Sequence, residues 1–417
     1  MTVRRLRALT AAIVATAALL PAVASASAGP AEQWFSAWSR PQSVMLGAAA
    51  DGLDGGRGPG PLLDQSVRDV VRLAASGSAV RIRLSNRYGA ALSPEATVPL
   101  LVDAITVAQR STDAGLVAGT LRRVTFSGHA AVTIPPGGTV VSDPVPLAVA
   151  FGEDVAVSLH VPQAPVGPQH GASFVTSWVT AASSGDHTTQ LSGSAYTERT
   201  FSTLLLTGID VRSHALRGVV AATGGSVVDG FGTEIDSYSD FPAWLAQRVR
   251  GQQSVVNNGL GGTTAASACA PPGVGPSVEE RVAHDSLALP GVTHLIVYAG
   301  TNDLGDGCNA TQIIDAYRSI IRQAHARHVR VLVSTITPRG QYTPLQNAER
   351  ELVNAWVRRG GTCGGECDHG LDFDVVVRDP SDHNRIDPKL DSGDGVHPTG
   401  EGYRRIAASI PLSYLAG

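Results

Sequence analysis

Past Leu20 the sequence has no apolar run long enough to cross a bilayer, so no helical membrane span is expected further along the chain. It has no basic patch either. Its 32 Lys and Arg stand against 36 Asp and Glu, for a formal charge of −4. That balance argues against nucleic acid as a partner. No segment repeats another. Long helical periodicity is missing from the first half, which argues against a helical architecture there. Cysteine is scarce: the chain has four, all in the second half.

What is present begins with Arg4, Arg5 and Arg7 ahead of an apolar stretch from Ala8 to Leu20, followed by small residues (AVASASA). This is the layout of a secretory signal over residues 1–28, with cleavage expected after Ala26 or Ala28. Losing it removes three positive charges and no acid, taking the net charge from −4 to −7. In an exported chain an even number of cysteines indicates disulfides, and four cysteines allow three pairings. Cys363 and Cys367 are close enough to close a small local loop. Cys269 and Cys308 each follow a predicted strand end, and pairing them would tie two loops on one rim of a sheet. A metal site built from Cys363, Cys367 and His369, with Asp368 between, is the alternative. It is disfavoured because oxidation would claim the thiols and no second ligand cluster lies nearby. No metal or cofactor is expected.

The remaining chain is long enough for two domains. Residues 31–212 read as β structure. Val80-Arg81-Ile82-Arg83-Leu84 alternates apolar and charged side chains, and Val67 to Leu73, Ala131 to Ile134, Val155 to Val161 and Phe174 to Val179 are further strand-like runs. Ser85-Asn86, Pro135-Pro136-Gly137-Gly138 and Pro162 to Gly171 read as turns, and Ala48 to Pro61 as a glycine-rich surface loop. Many short strands separated by proline and glycine predict an all-β sandwich or jelly roll.

Over residues 216–417 strands alternate with amphipathic helices. Val219 to Ala222 is followed by a helix capped by Asp240, then Ser254 to Asn257 and a helix near Ser277 to Leu287. Next come the strand His294 to Ala299, the helix Thr311 to Arg327, the strand Val329 to Ile336, and helices from Leu345 to Arg359 and Thr399 to Ser409. This alternation predicts a three-layer α/β domain on a parallel, doubly wound sheet.

In such a sheet the loops after successive strands gather at one edge. Here they carry Gly224-Gly225-Ser226, then Asn257-Asn258-Gly259-Leu260-Gly261-Gly262, then Gly300-Thr301-Asn302-Asp303. Asp394-Gly395-Val396-His397-Pro398 stands just ahead of the last helix. A serine hydroxyl needs a base to become a nucleophile, and histidine titrates in the right range. His397 is the candidate base for Ser226, and Asp394 the acid that orients the imidazole. The Ser226 and Gly262 N–H groups and the Asn302 amide are candidate donors to a tetrahedral oxyanion. Each piece has a plainer reading: a turn serine, a helix-start histidine, a turn asparagine, a loop glycine, a solvated acid. Their order and placement at strand-to-helix junctions favour the joint one.

Through GGSVVDG, NNGLGG, GTND and DGVHP the second half resembles the SGNH (GDSL-type) serine hydrolases. The resemblance implies a flavodoxin-like fold, with Ser226 as nucleophile, Gly262 and Asn302 as oxyanion residues, and Asp394 and His397 completing a triad. The first half, through Trp34 to Trp38, VRIRLSN and TGIDVR, resembles the β-sandwich that precedes the hydrolase domain in secreted actinobacterial members. One position departs: Gly225 stands where the family usually has the Asp of Gly-Asp-Ser. The expected activity is hydrolysis of small-molecule, lipid or acylated-carbohydrate esters by a monomer. An acyltransferase using the same acyl-enzyme and a catalytically weak carbohydrate-binding protein are the alternatives. A dinucleotide site on the glycine turn is disfavoured, because no helix opens directly at the glycines and no suitably placed acid follows. Trp178 and Tyr88 could stack on sugars, with core packing the plainer fate.

Overall fold

Val80, Ile82 and Leu84 alternate with Arg81 and Arg83, and the alternation becomes the strand Val80–Ser85, apolar side inward. Its two arginines each meet Asp210 of the neighbouring strand Leu206–Ser213 at 3.0 Å. A computed structural model describes residues 32–42, 61–87, 98–164, 169–272 and 274–416. The expected leader, residues 48–60 of the glycine-rich loop, and Tyr88 lie outside them.

The β-rich half contains two main antiparallel sheets. One runs Gln33–Ser39, Leu206–Ser213, Val80–Ser85, Thr139–Val141. The other runs Glu198–Thr200, Ser177–Val179, Leu62–Arg72, Asp154–Ala164, Ala104–Gln109, Arg122–Arg123. Ile82, Leu84, Ile209 and Val211 of the first share a core with Val67, Val71, Val157 and Leu159 of the second. Leu62–Arg72 is covered on its other face too, where Val70 packs with Ala108, Leu116 and Ala156, and Trp178 lies against them. Buried Arg68 there donates to Ser158 Oγ at 2.8 Å, to the Gln190 carbonyl at 2.9 Å and to the Ala114 carbonyl.

Two expectations fail in detail. Phe174 to Val179 is a strand only over Ser177–Val179, because Ala172 and Phe174 both have φ of +57°. The turn expected from Pro162 starts later, since Asp154–Ala164 stays paired through Gln163 and Ala164. Residues 165–168 are not described, and Gln169–His170 pairs with Thr203–Leu204.

In the second half five parallel strands stand in the order Gln253–Gly259, Gly218–Gly224, Val292–Tyr298, Arg330–Ser334, His369–Leu371. By chain order this is 2-1-3-4-5, so the winding reverses beside Gly218–Gly224 and opens a crevice at the carboxyl ends of the first three strands. Val219 and Ala221 face a core that holds Ile313, Tyr317 and Ile320 of the helix Ala310–His325. Val220 and Ala222 face the opposite one, with Phe241, Leu245, Tyr403 and Ile406. Helix starts follow the sequence signals: Asp240 accepts from Ala243 N–H, and Thr399 caps Gly400–Ser409.

Each half has its own core, and one buried residue crosses over. Phe35, on the strand Gln33–Ser39, belongs to the core beneath the parallel sheet, and its ring fills the space a Cβ at Gly291 would need. Both cysteine pairs are disulfides, Cys269–Cys308 and Cys363–Cys367. The alternative metal site is thereby dismantled: its two sulfurs are bonded to each other, and His369 stacks on Tyr414 at 3.7 Å. Cys269, Asp303 and Cys308 also lie together, but there too the disulfide occupies both sulfurs. Among the described residues no helix is long and apolar enough to cross a membrane.

Candidate active site

The strand Gly218–Gly224 ends where nothing larger than hydrogen fits. A Cβ at Gly224 would stand 1.9 Å from the Tyr298 carbonyl oxygen. Directly after it comes a single helical turn, Ser226–Asp229, starting at Gly225. A helix thus does open at the glycines, contrary to the sequence reading, although four residues are too few to show a helical period. Buried Arg281 fixes the approach by donating to the carbonyls of Gly224 at 2.7 Å and Asn258 at 3.0 Å.

The structure brings Ser226, His397 and Asp394 together. Ser226 Oγ lies 2.8 Å from His397 Nε2, and His397 Nδ1 lies 2.5 Å from Asp394 Oδ2. The other carboxylate oxygen accepts the N–H groups of Val396 and His397, both at 2.8 Å, so the acid is fixed by its own loop. Burial disfavours the ionised form of Asp394. The hydrogen bonds from His397 and Val396 outweigh burial and hold its carboxyl below the ordinary value. The His397 ring packs on Phe231, centroids 5.4 Å apart, and Phe231 meets Phe174 of the β-rich half edge-on at 5.1 Å. The positive φ that shortened the predicted strand therefore sits at the residue that reaches this aromatic pair.

The expected oxyanion donors fall on the neighbouring loops. Gly262 sits at φ +78°, with Val274 Cγ1 2.7 Å from where a Cβ would be. Among the described residues the N–H groups of Ser226 and Gly262 donate to no protein acceptor. Asn302, on the short helix Thr301–Gly305 after the third strand, donates one amide hydrogen to the Thr263 carbonyl at 3.0 Å, leaving the second free. A Cβ at Gly225 would lie 3.1 Å from that same carbonyl oxygen and 3.2 Å from Asn302 Nδ2. The absent aspartate at this position thus leaves room beside the amide.

Asp303 supports this arrangement from below. Its buried carboxylate accepts the N–H groups of Ala265 and Ala266, both at 2.8 Å, which holds the segment that presents Thr263. Burial pushes its carboxyl up to about 6, partly offset by those two hydrogen bonds. The Cys269–Cys308 disulfide ties the end of that segment to the residue range just past Asn302.

Reading the sequence missed Asp229, Arg40, His170 and Arg281. Asp229 stood within the quoted GGSVVDG motif, three places after Ser226 and hence on the same helical turn, which was the available signal. Arg40 and His170 carried none, because only the tertiary fold brings them near. A separate cavity of about 260 Å³ lies where the two halves meet, lined by Trp38, Arg40, Phe151, Tyr238, Asp240 and Trp244 among others. Neither Ser226 nor His397 lines it.

Residues 222–405 match the model of the GDSL-like Lipase/Acylhydrolase family. Comparison with curated proteins gives no match. Among solved structures the chain is similar to a GDSL-like lipase from Bacteroides thetaiotaomicron, at 20% identity over 48% of this chain and 88% of that one, TM-score 0.37. It is also similar to a carbohydrate acetylesterase from Sinorhizobium meliloti, at 15% identity over 46% and 94%, TM-score 0.36. A family two carbohydrate esterase from Clostridium thermocellum is similar at 12% identity over 83% and 88%, TM-score 0.37.

Proposed function

We propose that this protein, whose residues 222–405 form a GDSL-like lipase/acylhydrolase (SGNH) family domain, is a secreted serine esterase acting on carboxylic esters. Ser226 Oγ attacks the ester carbonyl carbon while His397 Nε2 takes the hydroxyl proton. Asp394 keeps the imidazole aligned and balances the charge of the imidazolium. The carbonyl oxygen, now an anion, accepts from the Ser226 and Gly262 N–H groups and from Asn302 Nδ2. The alcohol departs with the proton returned by His397, leaving Ser226 acylated. Water repeats the sequence, giving a proton to His397, and the acid is released as Ser226 recovers its hydrogen.

The observation that carries this reading is the hydrogen-bonded series Ser226–His397–Asp394, at 2.8 and 2.5 Å, beside two uncommitted N–H donors. The two disulfides fit an extracellular protein. We read residues 31–212 as an all-β, jelly-roll-like sandwich and residues 216–417 as a flavodoxin-like three-layer hydrolase domain. Substrates of this reading are small-molecule, lipid or acylated-carbohydrate esters. The test is turnover of p-nitrophenyl acetate with labelling by a fluorophosphonate probe. Ser226→Ala is expected to abolish labelling and to lower turnover by roughly 10³-fold or more. A folded Ser226→Ala protein with wild-type turnover would refute the assignment.

A further inference from the structure

The turn that carries Ser226 cannot hold its own position. Four residues closed by the bonds Val228 N–H to Gly225 O at 3.0 Å and Gly230 N–H to Ser226 O at 3.0 Å are far below the length at which a helix is stable alone. Its placement must be imposed by neighbours, and the most heavily bonded residue on it is the last, Asp229.

The Asp229 side chain is fully buried. Its Oδ1 accepts from Arg40 Nη1 at 2.6 Å and from His170 Nε2 at 2.9 Å. Its Oδ2 accepts the Gly261 N–H at 3.0 Å, one residue before the proposed oxyanion donor Gly262. Arg40 also donates to the Asp229 carbonyl at 3.0 Å, and His170 Nδ1 bonds the Pro41 carbonyl at 2.7 Å, which locks the imidazole to the segment bearing Arg40. Arg40, Pro41 and His170 all come from the β-rich half. One carboxylate therefore joins three things: the nucleophile's turn, the oxyanion loop, and two cationic or hydrogen-bonding side chains from outside the α/β half.

We propose that Arg40 and His170 are positioning residues for the Ser226 reaction, acting through Asp229 to set the nucleophile's turn against the Gly261–Gly262 loop. This rests on the esterase reading above and deepens it: the β-rich half is a working part of the reaction centre. Distance between attacking oxygen and oxyanion donors is what such a clamp controls, and misplacement on the scale of an ångström lowers the chemical step without weakening substrate capture.

The test uses the full chain and p-nitrophenyl acetate. Arg40→Met and His170→Leu are each expected to lower kcat by about 10²-fold with KM within about threefold, and to slow fluorophosphonate labelling in parallel. Arg40→Lys keeps the charge but replaces the planar guanidinium, whose Nη1 bonds both the Asp229 carbonyl and Oδ1, with a flexible ammonium, so it is expected to fold and still lose about tenfold in kcat. Arg40→Met leaves a buried carboxylate short of its cation and is expected to lower the thermal midpoint. The double variant Arg40→Met/Asp229→Asn removes that imbalance, so its thermal midpoint should recover while kcat stays low. Recovery of both together would reduce the cluster to a stabilising role and overturn the proposal, as would wild-type kcat in Arg40→Lys. Failure of the esterase reading looks different: wild-type protein would then take no label, or Ser226→Ala would keep its turnover.

Discussion

Ser226 Oγ and His397 Nε2, separated by 171 positions along the chain, lie 2.8 Å apart at the edge of the parallel sheet. The histidine arrives there on the loop before the last helix. That loop is shaped by Asp394, which accepts two backbone N–H groups as well as the imidazole. Asp394→Asn keeps the size of the side chain but places an amide where a carboxylate receives Nδ1–H. Turnover of p-nitrophenyl acetate is expected to fall by about 10²- to 10⁴-fold, with the larger loss if the imidazole adopts the wrong tautomer. Unchanged kcat in a folded variant would remove Asp394 from the reaction.

Asn302 makes a sharper test of the proposed oxyanion site, because only one of its two amide hydrogens is committed. One amide hydrogen is held by the Thr263 carbonyl, which aims the other. Asn302→Ala is expected to lower kcat by about 10²- to 10³-fold while KM changes little, the signature of a donor used only in the transition state. Steady-state kinetics on the purified variant decides this.

Asp303 predicts how stability varies with pH. Its folded value of about 6 lies above the ordinary 3.8. Below that ordinary value both states are protonated and the group is neutral in effect. As pH rises towards 6 the unfolded chain releases the proton while the folded one retains it, so stability falls. Above 6 the loss levels off at about 3 kcal/mol. Asp303→Asn has no such proton to lose. Urea midpoints measured from pH 4 to pH 7 should show the wild type losing ground to the variant over that window. A constant difference between the two would contradict the assignment.

The two disulfides should differ in worth. Cys269–Cys308 spans 39 positions and Cys363–Cys367 spans 4. Restricting the unfolded chain then contributes about 4 kcal/mol for the first and about 2 kcal/mol for the second, in the chain-entropy account. Cys308→Ala is expected to lower both the thermal midpoint and turnover, since Cys269 ends the segment that presents Thr263. Cys367→Ala is expected to lower the midpoint less and to leave turnover near wild type. Calorimetry with the ester assay separates the two.

Much of this architecture is legible from residue order because it rests on local signals. Asp240, Pro242 and the spacing of Phe241 and Leu245 specify a helix start wherever they stand, and the strand Gly218–Gly224 is apolar on both faces because both are covered. The edge strand His369–Leu371 is too short to show a period and follows a disulfide loop, so it went unseen. Leu62–Arg72 is legible only from Val67 onward, where buried Arg68 and Asp69 interrupt an otherwise apolar run and take their partners from distant segments. The chain of contacts from Ser226 to Asp394 was readable because each member sits beside a motif. The contacts of Asp229 with Arg40 and His170 were not, because an isolated arginine and an isolated histidine look alike wherever they fall.

The placement of Phe35 also bears on what the β-rich half needs from its neighbour. It lies on one of the earliest strands to be synthesised, yet the core that covers its ring is built from Val219, Leu295, Ile313 and Val331. Until those later residues are made, a nascent β-rich half would present an aromatic ring to solvent on the strand next to Arg40. Cut away from the carboxy-terminal half, the strand Gln33–Ser39 would keep its partner Leu206–Ser213 but leave Phe35 uncovered, so at this edge the β-rich half depends on its neighbour for cover.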